Sequence, residues 1–524
     1  MQDIRRIIQD ERARERAEID AKAKERRNLT RNATLSEKYA ERSIERQREK
    51  DPKLRPLWEH QKASVEKARD LPFYGLFYAP GCGKTRSLIS ILSDKYLQHG
   101  LMKTLILCPP VVIENFKNEF SMYSDLPGDK VITFKGPMKD RLLKLRKLGS
   151  DPFVAITNYE ILYNEPLLTE FKRWEPRVLV CDEIHKCKDP KAKRTKELIQ
   201  LSDFCQFRYG LSGTPILNSL MDLFAQIRII DGGTTFGRNF FVFRATHFFD
   251  ANSTRKGTHS YFPNFIPKEG IAAKLYGAIA PFTDLVKKED VLKFLPPLVK
   301  KQWLVELGPE QAKVYAAMKK DFIAFVNSEA CTAELAITRA LRLQQIVSGF
   351  VKFESGEEKP FLECPRLDAL TTILQDLGRN KVIIWAVFKR NYLMIKNICG
   401  GLGLETCELT GETKDKAAEI AKFQDPNGPT VMVSNQNAGG VGVNLVQAGY
   451  MIYYSKNFSL EQDLQSEARN YRGGSEMHSS ITRIDLISKG TIDEVILEVL
   501  KKKKRMGDEV FNSKSIFKLL REGV

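Results

Sequence analysis

The chain has no cysteine framework, few histidines and no long apolar run. Its nine cysteines are Cys82, Cys108, Cys181, Cys187, Cys205, Cys331, Cys364, Cys399 and Cys407, and none forms a Cys-x-x-Cys pair. With no Cys/His cluster at zinc spacing, a zinc finger is excluded. An odd count without framework spacing argues against a disulfide scaffold and for a reducing, cytoplasmic setting. No run of 18 consecutive apolar residues occurs and the N-terminus has no apolar secretory core, so neither a membrane span nor a signal peptide is expected. No repeat at solenoid period is present, which excludes a stacked-repeat architecture.

At 524 residues the chain is too long for one hydrophobic core. Its composition, 42% hydrophobic and 28% charged, is that of a globular protein rather than a fibrous or disordered one. A formal net charge of +17 favours a polyanionic partner, with an unspecialised basic surface as the alternative.

Residues 1–50 differ in composition from the rest and read as a charged helical extension. From Asp10 to Arg27 the chain is mostly Arg, Lys, Glu and Ala, which predicts a solvated helix. Arg5, Arg6, Arg26, Arg27 and Arg31 would suit a nucleic-acid-facing or partner-binding arm. Beyond it, apolar runs alternate with helix-like stretches in two series, predicting two doubly wound parallel-sheet α/β lobes, at about 51–295 and 296–504. The first series is Leu76–Tyr78, Thr104–Cys108, Phe153–Thr157, Val178–Cys181 and Tyr209–Leu211. The second is Val382–Val387, Thr430–Val433, Met451–Tyr454 and Ile481–Ile487. Between them, a Phe- and Arg-rich stretch at about 232–280 reads as a helical or irregular insertion, and Leu295-Pro296-Pro297 as a linker. Residues 505–524 form a tail, and the basic run Lys501–Arg505 braces lobe one, touches phosphates, or is simply solvated.

Pro80-Gly81-Cys82-Gly83-Lys84-Thr85 follows an apolar run and precedes a helix-like one, Ser87–Tyr96. Glycines let backbone N–H groups turn inward around phosphates, a lysine reaches their oxygens, and a hydroxyl ligates Mg²⁺. Gly81, Cys82, Gly83, Lys84 and Thr85 are therefore candidate ATP-binding residues, although Tyr78 stands where the strict phosphate loop has glycine. About 100 residues on, the apolar run Val178–Cys181 ends in Asp182-Glu183-Ile184-His185. Carboxylates at a strand's C-terminal end face the crevice where α/β sheets bind ligands. Asp182, with Thr85, is the candidate Mg²⁺ ligand, and Glu183 the group that orients and deprotonates water.

In this order the motifs resemble superfamily-two helicases, and the rest of the chain resembles the Swi/Snf-type DNA translocases, from about Leu57 to Lys504. Leu57-Trp58-Glu59-His60-Gln61 is similar to the adenine-reading motif, with Gln61 in the reading position. Leu105–Pro110 and Ile156–Glu160 resemble the two motifs that line nucleic acid, which implies contacts at Pro109 and Thr157. Leu211-Ser212-Gly213-Thr214-Pro215 resembles the coupling motif, so Ser212 and Thr214, with His185 and Gln465, would relay the nucleotide state. Val286–Val291 with Leu295–Pro297 resembles a stretch peculiar to this type. Ala438–Leu445 resembles motif five, implying Gly440 and Asn444 at nucleic acid and Gly442 at ATP. Gln465, Arg469 and Arg472 fit motif six, and Gly490–Glu494 the start of a closing helix. The chain departs from the family pattern at Tyr78-Ala79, Tyr471 and Gly474-Ser475, and resembles the compact members of bacteria and bacteriophages.

The resemblance implies an ATP- and Mg²⁺-dependent motor on DNA, most simply a monomer on duplex, with Lys84, Glu183, Arg469 and Arg472 catalytic. The spacing of Arg469 and Arg472 predicts that they share one helix face. Phosphate contacts from Thr157, Lys186, Lys188 and the motif-five loop would be insensitive to base sequence. A strand-separating helicase, an RNA-directed ATPase and a non-hydrolysing scaffold are the alternative readings.

Overall fold

The computed structural model describes residues 56–216, 219–253, 263–326, 333–353, 355–436 and 443–504. The charged extension 1–50, the tail 505–524, and Gly440 and Gly442 lie outside the described residues.

Lobe one opens with helix α1 (Glu59–Ala68), then β1 (Phe73–Tyr78), helix α2 (Lys84–His99), β2 (Thr104–Cys108), β3 (Val131–Thr133), β4 (Val154–Asn158), β5 (Val178–Asp182) and β6 (Phe207–Leu211). The insertion carries helix α3 (Phe240–His247), strands β7 (Phe248–Asp250) and β8 (Phe265–Pro267), and helix α4 (Ile271–Ile279). It is thus helical as expected, but β7 and β8 pair as a short antiparallel ribbon that the aromatic-rich pattern did not announce. An aromatic cluster packs the insertion, with the Phe243 ring tilted against those of Phe224, Phe236 and Phe248. The chain then returns as β9 (Thr283–Val286) and a single turn, α5 (Lys288–Val291). The sheet order is β3-β4-β2-β5-β6-β1-β9, every pair parallel.

In that order β5, β6 and β1 are parallel neighbours, so the segments leaving Asp182, Leu211 and Tyr78 emerge side by side at the C-terminal end of the sheet. Strands β2, β4 and β5 are buried at every position, which is why they read as unbroken apolar runs rather than alternating ones.

Lobe two contains β10 (Leu298–Val305), a hairpin of β11 (Phe350–Lys352) and β12 (Glu358–Pro360), then β13 (Val382–Trp385), β14 (Thr406–Leu409), β15 (Val431–Ser434), β16 (Tyr450–Tyr453), helix α6 (Leu460–Glu467) and β17 (Ile481–Ser488). Its main sheet, β10-β17-β16-β13-β15-β14, is also wholly parallel. Successive side chains divide between two cores as the pleat requires. Ile384, Val431, Val433 and Ile452 pack on one face, and Ile383, Trp385, Met432 and Met451 on the other.

Helix α6 is tied to this sheet by buried charge. Arg483 on β17 donates to Asp463, Glu467 and Asp485, at 2.8, 2.6 and 3.1 Å, over the Tyr453 ring. Lys456 pairs with Asp485 and Asp463, and Lys300 on β10 with Glu467. Burial alone would raise Asp463, but Lys456 and Arg483 hold it down at about 2. Removing one member of such a cluster leaves buried charge uncompensated. Arg483→Met should therefore cost about 3–5 kcal/mol in urea unfolding of the chain. Lys389→Met, which breaks only the exposed pair with Glu412, should cost less than about 1 kcal/mol. Equal effects would show that the cluster does not anchor α6.

Candidate active site between the two lobes

The phosphate loop is a left-handed turn. Gly81 and Gly83 have φ of 88° and 77°, a conformation that disfavours any side chain. Space is equally restrictive: a Cβ on Gly83 would collide with the Gln61 amide, and one on Gly81 would lie 3.2 Å from Arg472 Cβ. Lys84 opens α2 and its Nζ donates to the Tyr78 carbonyl at 3.2 Å. Thr85 is half-buried beside it. Cys82 is buried, its N–H bonded to the Ala79 carbonyl and its own carbonyl to His60 Nε2 at 2.9 Å. Any ATP contact from Cys82 would be through backbone, since its thiol faces the core.

The departure at Tyr78 has a structural reason. Its phenol is buried behind the loop and donates to Ser64 on α1, and Ser64 donates to Asp284 on β9. Asp284 also accepts from Tyr74 at 2.5 Å and Lys67 at 3.0 Å. These bonds lock α1 against β1 and β9. Gln61 on α1 donates from Nε2 to the Gly83 carbonyl at 3.1 Å and accepts from Trp58 N–H at 2.8 Å. It thus holds the phosphate loop directly.

Asp182 and Glu183 end β5, both buried. Glu183 has φ of 53°, and Glu175 is the other non-glycine residue with positive φ among those described. Strain of this kind in a side-chain-bearing residue needs support from its surroundings. Tyr159 supplies some, donating to the Asp182 carbonyl at 2.7 Å. His185 supplies more: its Nδ1 lies 2.9 Å from Ser212 Oγ and 3.3 Å from Glu183 Oε2. Ser212 Oγ in turn accepts from Thr214 N–H at 3.1 Å, whereas the buried Thr214 hydroxyl has no hydrogen-bond partner. The coupling candidates on lobe one therefore form a single chain from the acid pair to the loop after β6.

Lobe two closes the site. Gln465 donates to Glu183 Oε1 at 3.4 Å and to Glu461 Oε1 at 3.2 Å. Glu461 Oε1 lies 3.0 Å from His185 Nε2. Burial works against ionisation of Glu461, but His185, Lys186 and Lys188 outweigh it and hold the carboxyl below its usual range. Glu461 was not among the expected site residues. Its signal was its place four residues before Gln465, which sets both on one helix face.

Arg469 and Arg472 correct the expectation of a shared helix face. Helix α6 ends at Glu467, and both arginines lie in the turns that follow. The helical ladder is broken because the Arg469 carbonyl accepts from Leu445 N–H at 3.0 Å and the buried Asn470 amide from its side chain donates to Ala448 at 2.9 Å. The loop still faces lobe one. Arg472 is set against Gly81. Burial, then Arg472, lowers Arg469 to about 9, opposed by Glu183, so it remains cationic at neutral pH.

The nucleic-acid candidates divide. Lys186 and Asn444 are exposed, and Lys188, half-buried, pairs with Asp222 at 3.5 Å. Pro109 and Thr157 are corrections: both are buried. The Thr157 hydroxyl is committed to the Phe134 carbonyl at 3.2 Å, and neighbouring Asn158 to Arg141 at 2.7 Å. Strand ends in the middle of a parallel sheet are covered by their own loops, so Pro110 and Val111 carry the exposed surface there instead.

Two buried adjacent carboxylates, one with an oxygen lacking a hydrogen-bond partner, are a fitting donor set for a divalent cation. No group of three or more His, Cys, Asp or Glu side chains with metal-binding geometry occurs among the described residues.

A family model described as "SNF2-related domain" matches residues 75–349, and one described as "Helicase conserved C-terminal domain" matches residues 365–474. The chain is 26% identical over 438 residues to the human SWI/SNF-related matrix-associated actin-dependent regulator of chromatin subfamily A member 1, covering 80% of this chain and 40% of that protein. It is 25% identical over 500 residues to the TATA-binding protein-associated factor MOT1 of Saccharomyces cerevisiae, covering 83% and 26%. An uncharacterized ATP-dependent helicase of Mycoplasma genitalium is 26% identical, with 86% and 42% covered. The chain thus spans less than half the length of these relatives. Among solved structures, the Sulfolobus solfataricus SWI2/SNF2 ATPase core in complex with dsDNA matches with 24% identity and a TM-score of 0.41, over 89% of this chain and 95% of that one.

The acid pair makes a prediction about pH. Burial first, and Glu183 second, raise Asp182 to about 7 against the pull of Lys84 and Lys186. The native state then holds a proton that the unfolded chain has released. Asp182's contribution to stability is full below the ordinary carboxylate range, falls as pH rises to about 7, and is level above it. Urea midpoints measured from about pH 4 to 8 should show this decline in the wild type and lack it in Asp182→Asn. Parallel curves for the two proteins would rule out a protonated Asp182.

Proposed function

The chain belongs to the SNF2-related family, and from that premise we propose that it is a DNA-dependent ATPase that hydrolyses ATP between lobe one (residues 51–295) and lobe two (residues 296–504) and moves along duplex DNA, remodelling DNA or protein–DNA complexes. The observation that carries the reading is the meeting of Gly81 and Glu183 from lobe one with Arg472 and Gln465 from lobe two.

Phosphoryl transfer needs negative charge neutralised on several oxygens at once. Lys84 would take the outer phosphates from lobe one, and Arg469 and Arg472 from lobe two. Asp182 and Thr85 would hold Mg²⁺, which when bound supplies charge neutralisation between the phosphates. Glu183 orients the attacking water and accepts its proton, in a position set by Gln465 and His185. The half-buried backbone turn of Gly81–Gly83 would shield one side of the phosphates, and Gln61, which holds that turn, would sense adenine. Hydrolysis then depends on the seam being closed, and the His185–Ser212–Glu461 contacts would change as it opens.

Motion follows from the same dependence. Lys186, Lys188 and Asn444 lie on different lobes at the surface, so opening and closing alters their spacing along a phosphate backbone. Such contacts are sequence-tolerant and salt-sensitive. The net charge of +17 supports a polyanionic track. Eight buried thiols with no disulfide among the described residues suit a cytoplasmic setting, and no described helix is long and apolar enough to cross a membrane.

Lys84→Ala should abolish turnover, and Glu183→Gln should bind ATP without cleaving it. Arg469→Ala should leave ATP affinity nearly unchanged while kcat drops by about 10³-fold or more, the range of an arginine finger. Normal hydrolysis by the Arg469 variant would exclude a site completed across the seam. ATPase rates with duplex DNA, single strands and RNA identify the cofactor, and duplex should stimulate most. Third-strand displacement from a triplex without opening of a forked duplex is the expected output; efficient fork opening would make the chain a strand-separating helicase.

A further inference from the structure

We propose that Lys288 is a latch between the lobes, a positioning residue that holds the arginine-bearing loop of lobe two on the phosphate loop; the inference rests on the hydrolytic reading of the seam. Lys288 belongs to the single turn α5, which follows the last strand of the lobe-one sheet. Its ammonium crosses the seam and donates to the Tyr471 carbonyl at 2.8 Å, with Nζ 4.8 Å from the centre of the Tyr471 ring. Tyr471 stands immediately before Arg472. On its other side, Lys288 Cε and Nζ lie 3.8 Å from the position a Cβ on Gly81 would occupy, and Arg472 Cβ lies 3.2 Å from that same position. One side chain thus bonds the residue that precedes the second arginine and lies beside the phosphate loop.

The arrangement is electrostatically conditional. Lys84, Lys288 and Arg472 gather around one glycine turn, and Arg469 repels Arg472 in turn. Cations so placed repel one another in a poorly solvated site, and a polyphosphate removes the repulsion. The Tyr471 carbonyl and ring give the ammonium a partial negative partner in the meantime. The groups facing Lys288 are Glu467 at the end of α6, Cys82 in the phosphate loop, Arg472 in the arginine loop and Glu289 on its own turn. Lys287, Lys300 and Lys504 line the adjoining cavity of about 360 Å³. Burial lowers Lys288 to about 8, with Glu467 and Cys82 opposing and Arg472 reinforcing. The latch should therefore lose its charge at mildly alkaline pH.

Two measurements on the full chain test this. In steady-state ATPase assays with Mg²⁺ and duplex DNA, Lys288→Ala should lower kcat by about 10- to 100-fold, the scale of a misplaced catalytic group, with a smaller change in KM. Lys288→Arg should recover most of kcat and move the alkaline fall in rate from about pH 8 upward. The second readout needs no hydrolysis. Trp58 sits in the seam, where a Cβ on Gly473 would lie 3.3 Å from its ring and one on Gly83 3.4 Å. Acrylamide quenching of Trp58, obtained by difference against Trp58→Phe proteins, should increase in Lys288→Ala and not in Lys288→Arg. Unchanged quenching in Lys288→Ala, or an Arg variant whose pH profile coincides with that of wild type, overturns the latch. Increased quenching in a chain without ATPase activity would sustain the latch and reject the hydrolytic reading instead.

Discussion

Burial of two adjacent carboxylates at the end of β5 is the constraint around which the rest of the site is arranged. Asp182 and Glu183 cannot both be ionised in that position without compensating charge, and Asp182 is accordingly pushed up to about 7. The surrounding elements each answer a part of this deficit. The phosphate loop brings Lys84, the loop after β6 brings Ser212 to His185, and α6 brings Gln465 to Glu183. Around the phosphate loop the imbalance has the other sign, with Lys288 of lobe one and Arg472 of lobe two both against Gly81, and Arg469 facing Arg472 and Glu183. Each wall lacks what a metal–polyphosphate would supply to it. On the proposed function, a site incomplete in both halves in this way would be most stable when filled and closed, which would couple chemistry to the separation of the lobes.

That coupling requires each lobe to move as a rigid unit. In lobe two, rigidity comes from Arg483, which joins α6 to β17 through Asp463, Glu467 and Asp485. Glu461 and Gln465 reach across the seam from the same helix. A displacement of α6 within its own lobe would therefore be felt at Glu183. In lobe one the corresponding role falls to the Tyr78–Ser64–Asp284 bonds, which fasten α1 and its Gln61 behind the phosphate loop. Polar clusters of this kind add directional geometry that apolar packing does not.

How much of the fold could be read in the residues depends on where a strand sits in its sheet. Central strands β1, β2, β4, β5 and β6 of lobe one, and β13, β15, β16 and β17 of lobe two, all show as apolar runs, because neighbours and helices cover them on every side. Within the two main sheets, the strands that escaped notice, β3, β9, β10 and β14, are the four edges. An edge strand has one bare side, and its residues follow different rules. Strand β10 is the extreme case: eight residues long, exposed over most of its length and containing Lys300 and Lys301, it has no apolar run to detect. The ribbon β7–β8 is too short to impose a period.

The candidate site divides along a similar line. Local chemistry is legible locally: a glycine turn before Lys84-Thr85, and a buried strand that ends in Asp182-Glu183, announce a phosphate site because backbone conformation and carboxylate placement are properties of a few consecutive residues. Contacts between distant segments are not. Nothing in the residues themselves says that Thr157 points inward to the Phe134 carbonyl, that Arg469 and Arg472 leave the helix, or that Lys288 and Glu461 reach the opposite lobe. The sequence alone determined the two-lobed parallel architecture and the positions of the glycine turn and the acid pair, since both arise from short-range pattern. Only the tertiary structure decided which cations meet those carboxylates and that turn, because charge pairing across a seam depends on the packing of segments nearly 400 residues apart.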